Sequence, residues 1–217
     1  MTNQVPRNKP PTPAGTRDRL VEAARHLFWE RGYTATGLSD ILAHAGANSG
    51  SFYHFFESKD ALLRTVLETY ADAIEPMLLA PVRPRVRRPL DLVTLLLGSY
   101  RERLAQTACA YGCPIGRLAL EIDAENTPAH GLIARNFDRW TAAVADAVRL
   151  EGIADADDVA TFVLAVMEGA VMQSRAHRSL APYDAALRQM TRYLASLPRG
   201  TSARRSAPRR ARKVSRR

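Results

Sequence analysis

The sequence has only two cysteines and no long apolar run. Cys109 and Cys113 are too few for a disulfide scaffold or for a cysteine-based zinc site. The longest uncharged apolar stretch, residues 92–100, is far shorter than the ~20 residues of a transmembrane helix. Residues 1–15 lack the apolar core of a signal peptide. We therefore expect a soluble, cytoplasmic protein that contacts no membrane and needs no metal or cofactor.

Acidic residues are missing from residues 198–217, which hold nine basic residues, whereas residues 1–197 contain 22 basic and 22 acidic ones. The whole net charge of +9 therefore lies in this tail. Because the tail has little apolar surface to bury, we expect it to be disordered. Two interpretations remain open. In the first, the tail binds DNA phosphates without sequence preference, and this binding weakens as the salt concentration rises. In the second, it is a solubilising segment without a partner.

Strand-like alternation is also missing, whereas apolar residues recur at helical spacing along most of the chain. The sequence predicts an all-α fold. Four prolines make residues 1–15 an arm, and Thr16 is the predicted cap of a first helix that Gly32 ends. Prolines also predict a loop over residues 81–89. Five further helices are predicted near residues 90–108, 115–123, 129–151, 156–178 and 183–197.

Residues 36–67 carry the pattern of a helix-turn-helix. Thr36 is the predicted cap of a short helix that Gly46 ends, and Asn48 caps a second short helix. Ser58 opens another helix, with Asp60 in its first turn. The second helix of such a unit enters the DNA major groove. We expect its aromatic residues Phe52, Phe55 and Phe56 to pack inward.

This segment resembles the TetR family of bacterial transcription regulators, whose pattern is GYxxTxxxDIAxxAGVSKGSxYxHFxSKExL. The matching residues are Gly32, Tyr33, Thr36, Asp40, Ile41, Ala45, Gly46, Gly50, Ser51, Tyr53, Phe56, Ser58, Lys59 and Leu62. The match covers about the first 75 residues. The resemblance implies an N-terminal three-helix DNA-binding domain and a larger helical domain for ligand binding and dimerisation.

The resemblance also implies the DNA contacts, with Lys59 holding a phosphate. They are Thr36, Gly37, Asn48, Ser49, Gly50, Ser51, Tyr53, His54 and Lys59. The chain departs from the family at Gly37, where Ser is usual, and at Ser49, where Lys is frequent. The loss of that Lys removes one contact. We divide the chain into a flexible arm (1–15), the helix-turn-helix domain (16–57), a connecting helix (58–75), the ligand-binding and dimerisation domain (76–197) and the disordered basic tail (198–217).

Regulators that read palindromic operators normally do so as two-fold dimers. The last two helices are the best candidates for this interface, and the first of them, near residues 156–178, is apolar over more than one stripe, which favours burial against a partner as well as within the chain. The predicted interface residues are Phe162, Val163, Val166, Ala170, Leu187, Met190 and Leu194. The alternative is that both helices only close the core of the monomer.

The middle helices are expected to enclose a regulatory ligand. Candidate lining residues are Tyr100, Arg103, Leu104, Cys113, Leu118, Glu121, Phe137, Trp140, Val144, Met167 and Gln173. Each of them has core packing as its alternative. Glu121 interrupts an apolar run and needs a partner, which a ligand, Arg103 or Arg117 can provide.

Cys113 precedes Pro114 at a predicted helix start. The helix dipole stabilises a thiolate there, which predicts a lowered pKa and a sensor for electrophiles or oxidants, with Cys109 as resolving partner. The alternative is that both cysteines are buried apolar residues.

The combined prediction is a homodimeric, non-enzymatic regulator of a double-stranded, palindromic DNA operator. We expect a repressor that a small molecule, electrophile or oxidant releases by swinging the fourth helix. One alternative is a nonspecific nucleic-acid binder driven by the basic tail. Another is a helical enzyme that uses Glu121, Arg103 and a cysteine, although the sequence shows no recognisable nucleophile and base.

Overall fold

Helices make up most of the computed structural model, which describes residues 15–123 and 125–199. They are α1 (Thr16–Arg31), α2 (Leu38–Ala45), α3 (Ser49–Phe55), α4 (Lys59–Ala73), α5 (Asp91–Gln106), α6 (Pro114–Glu121), α7 (Thr127–Leu150), α8 (Ala156–His177) and α9 (Ala181–Ser196). A π-helical turn (Ile74–Leu79) and a 3₁₀ turn (Arg83–Arg85) join α4 to α5. The all-α prediction is confirmed. No helix in the described ranges is long and apolar enough to span a membrane.

The predicted ends of the first helices are mostly confirmed. α1 ends before Gly32 and α2 before Gly46, and both glycines have positive φ, at 94° and 58°. The side chains of Asn48 and Ser58 accept backbone N–H groups at the starts of α3 and α4, at 2.8 and 3.1 Å. Each short helix is therefore closed by signals that lie in the local sequence.

The two threonine caps are wrong by one residue. Gly15 and Gly37 occupy the cap positions of α1 and α2, and Thr16 is already helical. The Thr36 hydroxyl instead donates a 2.6 Å hydrogen bond to the Gly32 carbonyl oxygen and is completely buried. Because the Thr36 hydroxyl bonds to the end of α1, it does not cap the start of α2.

The first four helices enclose an apolar core in which Leu20, Ile41, Phe52 and Leu62 are completely buried. Phe52 and Phe56 pack inward as predicted, whereas Phe55 is 40 % exposed. The two neighbouring rings differ because α3 ends at Phe55. The backbone becomes extended at Phe56, which turns the Phe56 ring inward.

The connecting helix is predicted over residues 58–75, but α4 ends at Ala73 and the helical path continues through the π-helical turn Ile74–Leu79. Pro76 has no N–H and cannot continue the α-helical hydrogen bonds. The chain responds with a wider turn, in which the Ala80 N–H donates to the Glu75 carbonyl at 2.8 Å.

α4 packs against α1 on one side and against α7 on the other. Two α7 side chains donate to α4 carbonyls: Asn136 Nδ2 to Leu67 at 3.0 Å, and Arg139 Nη1 to Ala71 at 2.8 Å. The remaining helices form a bundle in which α8 packs between α7 and α9. The five helices predicted for this part of the chain are present, with ends shifted by a few residues.

Nearly all of the predicted arm (1–15) and tail (198–217) lies outside the described residues. The start of the tail is described and corrects the predicted boundary at 197. Arg199 pairs with Glu151 at 3.0 Å and forms a backbone bridge with Ile153, in the turn between α7 and α8. The folded domain therefore extends through Arg199.

Candidate functional site

The outward face of α3 is the candidate DNA-reading surface. Tyr53 is 60 % exposed, and Ser49, Gly50 and His54 are exposed beside it. The N-terminal turn of α3 carries only small side chains, so a DNA backbone or base edge can approach it closely. Phe55 extends this exposed surface and was missed, because a helical pattern alone assigned it to the core.

Two predicted DNA contacts lie within the domain. Thr36 is buried, as described above, so its side chain cannot reach DNA. The Lys59 ammonium donates to the carbonyl oxygens of Tyr33 and Thr36, both at 3.0 Å, and lies 4.1 Å from the centre of the Tyr33 ring. Burial lowers the pKa of Lys59. Lys59 therefore holds the α1–α2 turn onto α4, where a phosphate contact was expected.

A cavity of about 400 Å³ lies between α1, α4, α5, α6, α7 and α8. This volume falls within the usual range for small-molecule sites. Its wall is largely apolar and includes the aromatic side chains of Trp29, Tyr70, Tyr100, Tyr111, Phe137 and Trp140. Since α1 and α4 also carry the helix-turn-helix, the cavity shares walls with the DNA-binding domain.

Two polar atoms of the cavity wall lack an intramolecular partner. In the described part of the chain, only Trp140 Nε1 and Glu168 Oε1 are buried side-chain nitrogen or oxygen atoms without a hydrogen bond. Both residues line the cavity. A buried unpaired polar atom costs about 1–3 kcal/mol, so both positions favour a bound molecule that supplies the missing partners.

Family comparisons agree with this geometry. Residues 20–66 match the bacterial regulatory proteins of the tetR family, and residues 89–189 match the C-terminal domain of LmrA/YxaF-like transcriptional regulators. An uncharacterised HTH-type transcriptional regulator of Mycobacterium tuberculosis (strain H37Rv) is 33 % identical over 85 % of this chain and 97 % of its own length. The chain belongs to the TetR family. It is therefore a DNA-binding transcriptional regulator.

Two further TetR-family proteins are similar over most of their length. The transcriptional repressor DhaR of Mycobacterium sp. (strain GP1) is 28 % identical over 77 % of this chain and 86 % of its own. The crystal structure of the reduced form of Escherichia coli NemR superimposes with a TM-score of 0.71 and 25 % identity, covering 82 % of this chain and 96 % of that one. The fold and the family predicted from the motif are confirmed.

Most of the candidate effector residues lie around the cavity of this TetR-family chain. Those that line it are Tyr100, Arg103, Leu104, Cys113, Phe137, Trp140 and Met167. The other four are placed elsewhere. Leu118 and Val144 are core residues with 1 % and 0 % exposure. Gln173 is exposed on α8, and Glu121 lies at the junction with α1. Helical spacing predicts that a face is apolar but not which neighbour it meets.

Glu121 and Arg117 join α6 to the end of α1. Arg117 Nε donates to Glu121 Oε1 at 2.8 Å, so Arg117, and not Arg103, is the predicted arginine partner of Glu121. The Arg117 guanidinium also donates to the carbonyls of Glu30, at 3.1 Å, and of Arg31, which end α1. Glu121 Oε2 accepts the Thr34 N–H at 3.2 Å. We call these contacts the α6–α1 clamp.

The α6–α1 clamp gives a second reason for a glycine at position 32, besides its positive φ. A Cβ at Gly32 would lie 2.1 Å from Glu121 Oε1, so a larger residue would displace the Glu121 carboxylate from the clamp. Trp29 adds a link from the same helix, since its Nε1 donates to the Gly112 carbonyl at 2.7 Å while its ring lines the cavity. A wall of the cavity is thus bonded to the segment that precedes the helix-turn-helix.

The predicted low pKa of Cys113 is wrong. Cys113 caps α6, with its Sγ accepting the Gly116 N–H at 3.4 Å. Burial and the neighbouring Glu168 carboxylate nevertheless raise the pKa of the thiol well above its usual value. Desolvation outweighs the helix terminus here. Cys109 is also buried, and both thiols are free, as the alternative interpretation held.

The predicted interface residues divide into two groups. Val163, Ala170, Met190 and Leu194 are buried inside the protomer, with at most 4 % exposure, so the core-closing alternative applies to them. Phe162 is 47 % exposed, and Val166 and Leu187 are half-buried. Phe162 and Val166 lie on the outward face of α8, beside Ala165 and Gly169, which are small enough for close helix approach, and beside Met172, which the prediction missed; Leu187 lies on α9. Met172 is 59 % exposed.

Glu168 is a cavity-lining residue that the sequence analysis did not single out. It stands in the apolar run LAVMEGAVM, which is the same signal that singled out Glu121. Burial raises the pKa of its carboxyl. A Cβ at Gly116 would lie 2.4 Å from Glu168 Oε2, so the carboxylate is wedged against the first turn of α6.

We expect Glu168→Met to stabilise the protein, and more so at pH 8 than at pH 5. A carboxyl whose pKa is raised by folding holds its proton longer in the folded state, so its unfavourable contribution grows as the pH rises through the folded pKa. The gain at pH 8 should be about 1–3 kcal/mol, the usual cost of a buried unpaired polar group. Thermal unfolding at both pH values measures it. Glu68→Met, at an exposed α4 position, is the control and should show no comparable stabilisation.

Proposed function

We propose that this TetR-family protein is a homodimeric repressor of a palindromic operator, from which a small molecule in the cavity releases it. The observation that carries the proposal is the shared wall: α1 and α4 line the cavity and also hold the helix-turn-helix. Occupation of one site can therefore bias the position of the other.

The proposed DNA contacts lie on α3 and at the caps of α2 and α3. Ser49, Gly50, Tyr53 and His54 are exposed on α3 and Ser51 is half-buried, while Gly37 and Asn48 are the exposed cap residues of α2 and α3. The Asn48 oxygen is occupied by capping α3, so only its amide nitrogen faces a base or phosphate. Tyr53 is the largest exposed side chain on the helix and is proposed as the main contact.

The proposed dimer places the outward faces of α8 and α9 of two protomers together. The ring of Phe162 packs on Tyr193 across the two helices, with ring centres 5.1 Å apart. Gly169 has open space around its Cα, so a partner helix can approach it closely. An apolar, partly exposed face that includes small residues is typical of an interface rather than of a solvated surface.

The test is DNA binding by the full chain and by a 1–199 truncation, measured as fluorescence anisotropy at near-physiological salt. The probes are DNA from the upstream region of the gene and a scrambled duplex. Both proteins should prefer the upstream DNA. Tyr53→Ala should weaken that binding about 10- to 100-fold, as the loss of a base-reading side chain does. Leu150→Ala, at a 76 % exposed position at the C-terminal end of α7, is the control.

The outcome for the truncation separates the proposal from the tail-driven alternative. Binding that ignores sequence and disappears with residues 200–217 would favour a nonspecific nucleic-acid binder, whose affinity falls steeply with salt. Binding that survives truncation and depends on Tyr53 supports the repressor.

A further inference from the structure

The charged residues around the cavity are unequally paired. Among the described lining residues these are Glu22, Arg25, Arg103 and Glu168. Glu22 and Arg25 form an ion pair, with Arg25 Nε 2.8 Å from Glu22 Oε2. Arg103 is exposed and donates to the Met77 carbonyl at 3.0 Å. Glu168 alone among them has no cationic partner, and its Oε1 is buried.

The surroundings of Glu168 cannot supply that partner. Its other oxygen is wedged against Gly116, and its polar neighbour is the buried Cys113 thiol, which carries no positive charge. Within the described ranges no Lys or Arg forms an ion pair with Glu168. A positive charge beside a carboxylate in an apolar wall offsets its loss of water and stabilises its ionised form.

The aromatic residues around the cavity suit a positive charge. Tyr70, Tyr100 and Trp140 line the same cavity as Glu168. The faces of such rings attract ammonium groups and also stack on flat ring systems. The cavity therefore offers one buried anion inside an aromatic enclosure.

We infer that the effector is a flat aromatic cation, a protonated amine or a similar nitrogen base, whose positive group pairs with Glu168. This inference rests on the proposed effector function of the cavity. In the complex the nitrogen donates to Glu168 Oε1, and the ring system packs among the aromatic side chains. Neutral molecules of the same shape fill the cavity and can donate a hydrogen bond, but they leave the negative charge of the carboxylate without a positive partner.

The test uses two probes of nearly equal shape, 9-(aminomethyl)anthracene, which is cationic at pH 7, and the neutral 9-anthracenemethanol. Isothermal titration of the full-length protein should show the amine binding about 10- to 100-fold more tightly, because its ammonium offsets the charge of the carboxylate whereas the hydroxyl of the alcohol does not. Glu168→Gln keeps the shape of the side chain and removes its charge. It should bring the two affinities to within about threefold, mainly by weakening the amine.

Glu22→Gln is the matched control, because Glu22 also lines the cavity but is already paired with Arg25. This variant should keep the preference for the amine. Equal binding of both probes by the natural protein, or a preference that survives Glu168→Gln, would overturn the inference while leaving the effector cavity in place. If neither probe binds, the effector function of the cavity fails and the inference fails with it. Circular dichroism shows whether Glu168→Gln is folded.

Discussion

A Gly169→Arg variant should be monomeric and should lose specific operator binding. Gly169 lies on the outward face of α8, where an added Cβ meets no atom of the same protomer within 4 Å. In the proposed dimer, the same position faces the partner helix, and a large charged side chain would hold the two helices apart. Replacing a helical glycine also favours the helix by up to about 1 kcal/mol, so the protomer itself should not lose stability from this change.

The loss of operator affinity should be at least about 100-fold, because a monomer reaches only one half-site and gives up half of the base contacts. Sedimentation velocity gives the oligomeric state, and anisotropy with the upstream DNA gives the affinity. Gly131→Arg is the matched control. Gly131 is an exposed glycine of α7 with equally open surroundings, and it lies away from the α8–α9 face. A dimeric Gly169→Arg protein with normal affinity would place the interface elsewhere.

Local chemistry made the N-terminal domain predictable. Asn48 and Ser58 cap their helices through neighbours three residues away, and Gly46 adopts the left-handed conformation that ends α2. These contacts depend on short stretches of chain, so a sequence pattern contains them. Phe55 shows the limit of such patterns, because its exposure depends on where α3 ends.

The positions of Lys59, Glu121 and Gln173 depend on which element packs opposite them, and spacing along one helix does not contain that information. Lys59 lies against a turn 23 to 26 residues away, and Glu121 meets Thr34 from 87 residues away. Gln173 was predicted to line the cavity, but its side of α8 faces outward. Glu168 lines the cavity from the same helix, and we propose for it the ligand contact that was predicted for Gln173. The rule that a carboxylate in an apolar run needs a partner, which singled out Glu121, applies equally to Glu168.

Two sets of contacts can carry a signal from the cavity to the helix-turn-helix. One is the hydrogen bond from Arg139, on α7, to the Ala71 carbonyl of α4, with a 2.9 Å ion pair to Asp72. This set suits the predicted swing of the fourth helix. The other is the α6–α1 clamp, which begins in the helix that Cys113 caps at the cavity wall. Arg117 and Glu121 are largely buried, with 18 % and 23 % side-chain exposure, whereas Arg139 and Asp72 are 47 % and 77 % exposed.

Because exposed ion pairs contribute little and partly buried ones more, we expect the α6–α1 clamp to carry most of the coupling. Arg117→Met keeps the aliphatic part of the side chain and removes the bonds to α1 and Glu121. It should bind the upstream DNA within about threefold of the natural protein, yet lose most of the 5- to 150-fold weakening that is typical of an effector. Anisotropy with and without saturating 9-(aminomethyl)anthracene measures this change. Hydrogen exchange in the α1–α2 turn should also rise in this variant without any ligand, since the Thr34 N–H loses a fixed acceptor. Arg139→Met is the matched comparison. If it abolishes the response while Arg117→Met keeps it, the signal runs through the swing of α4 alone.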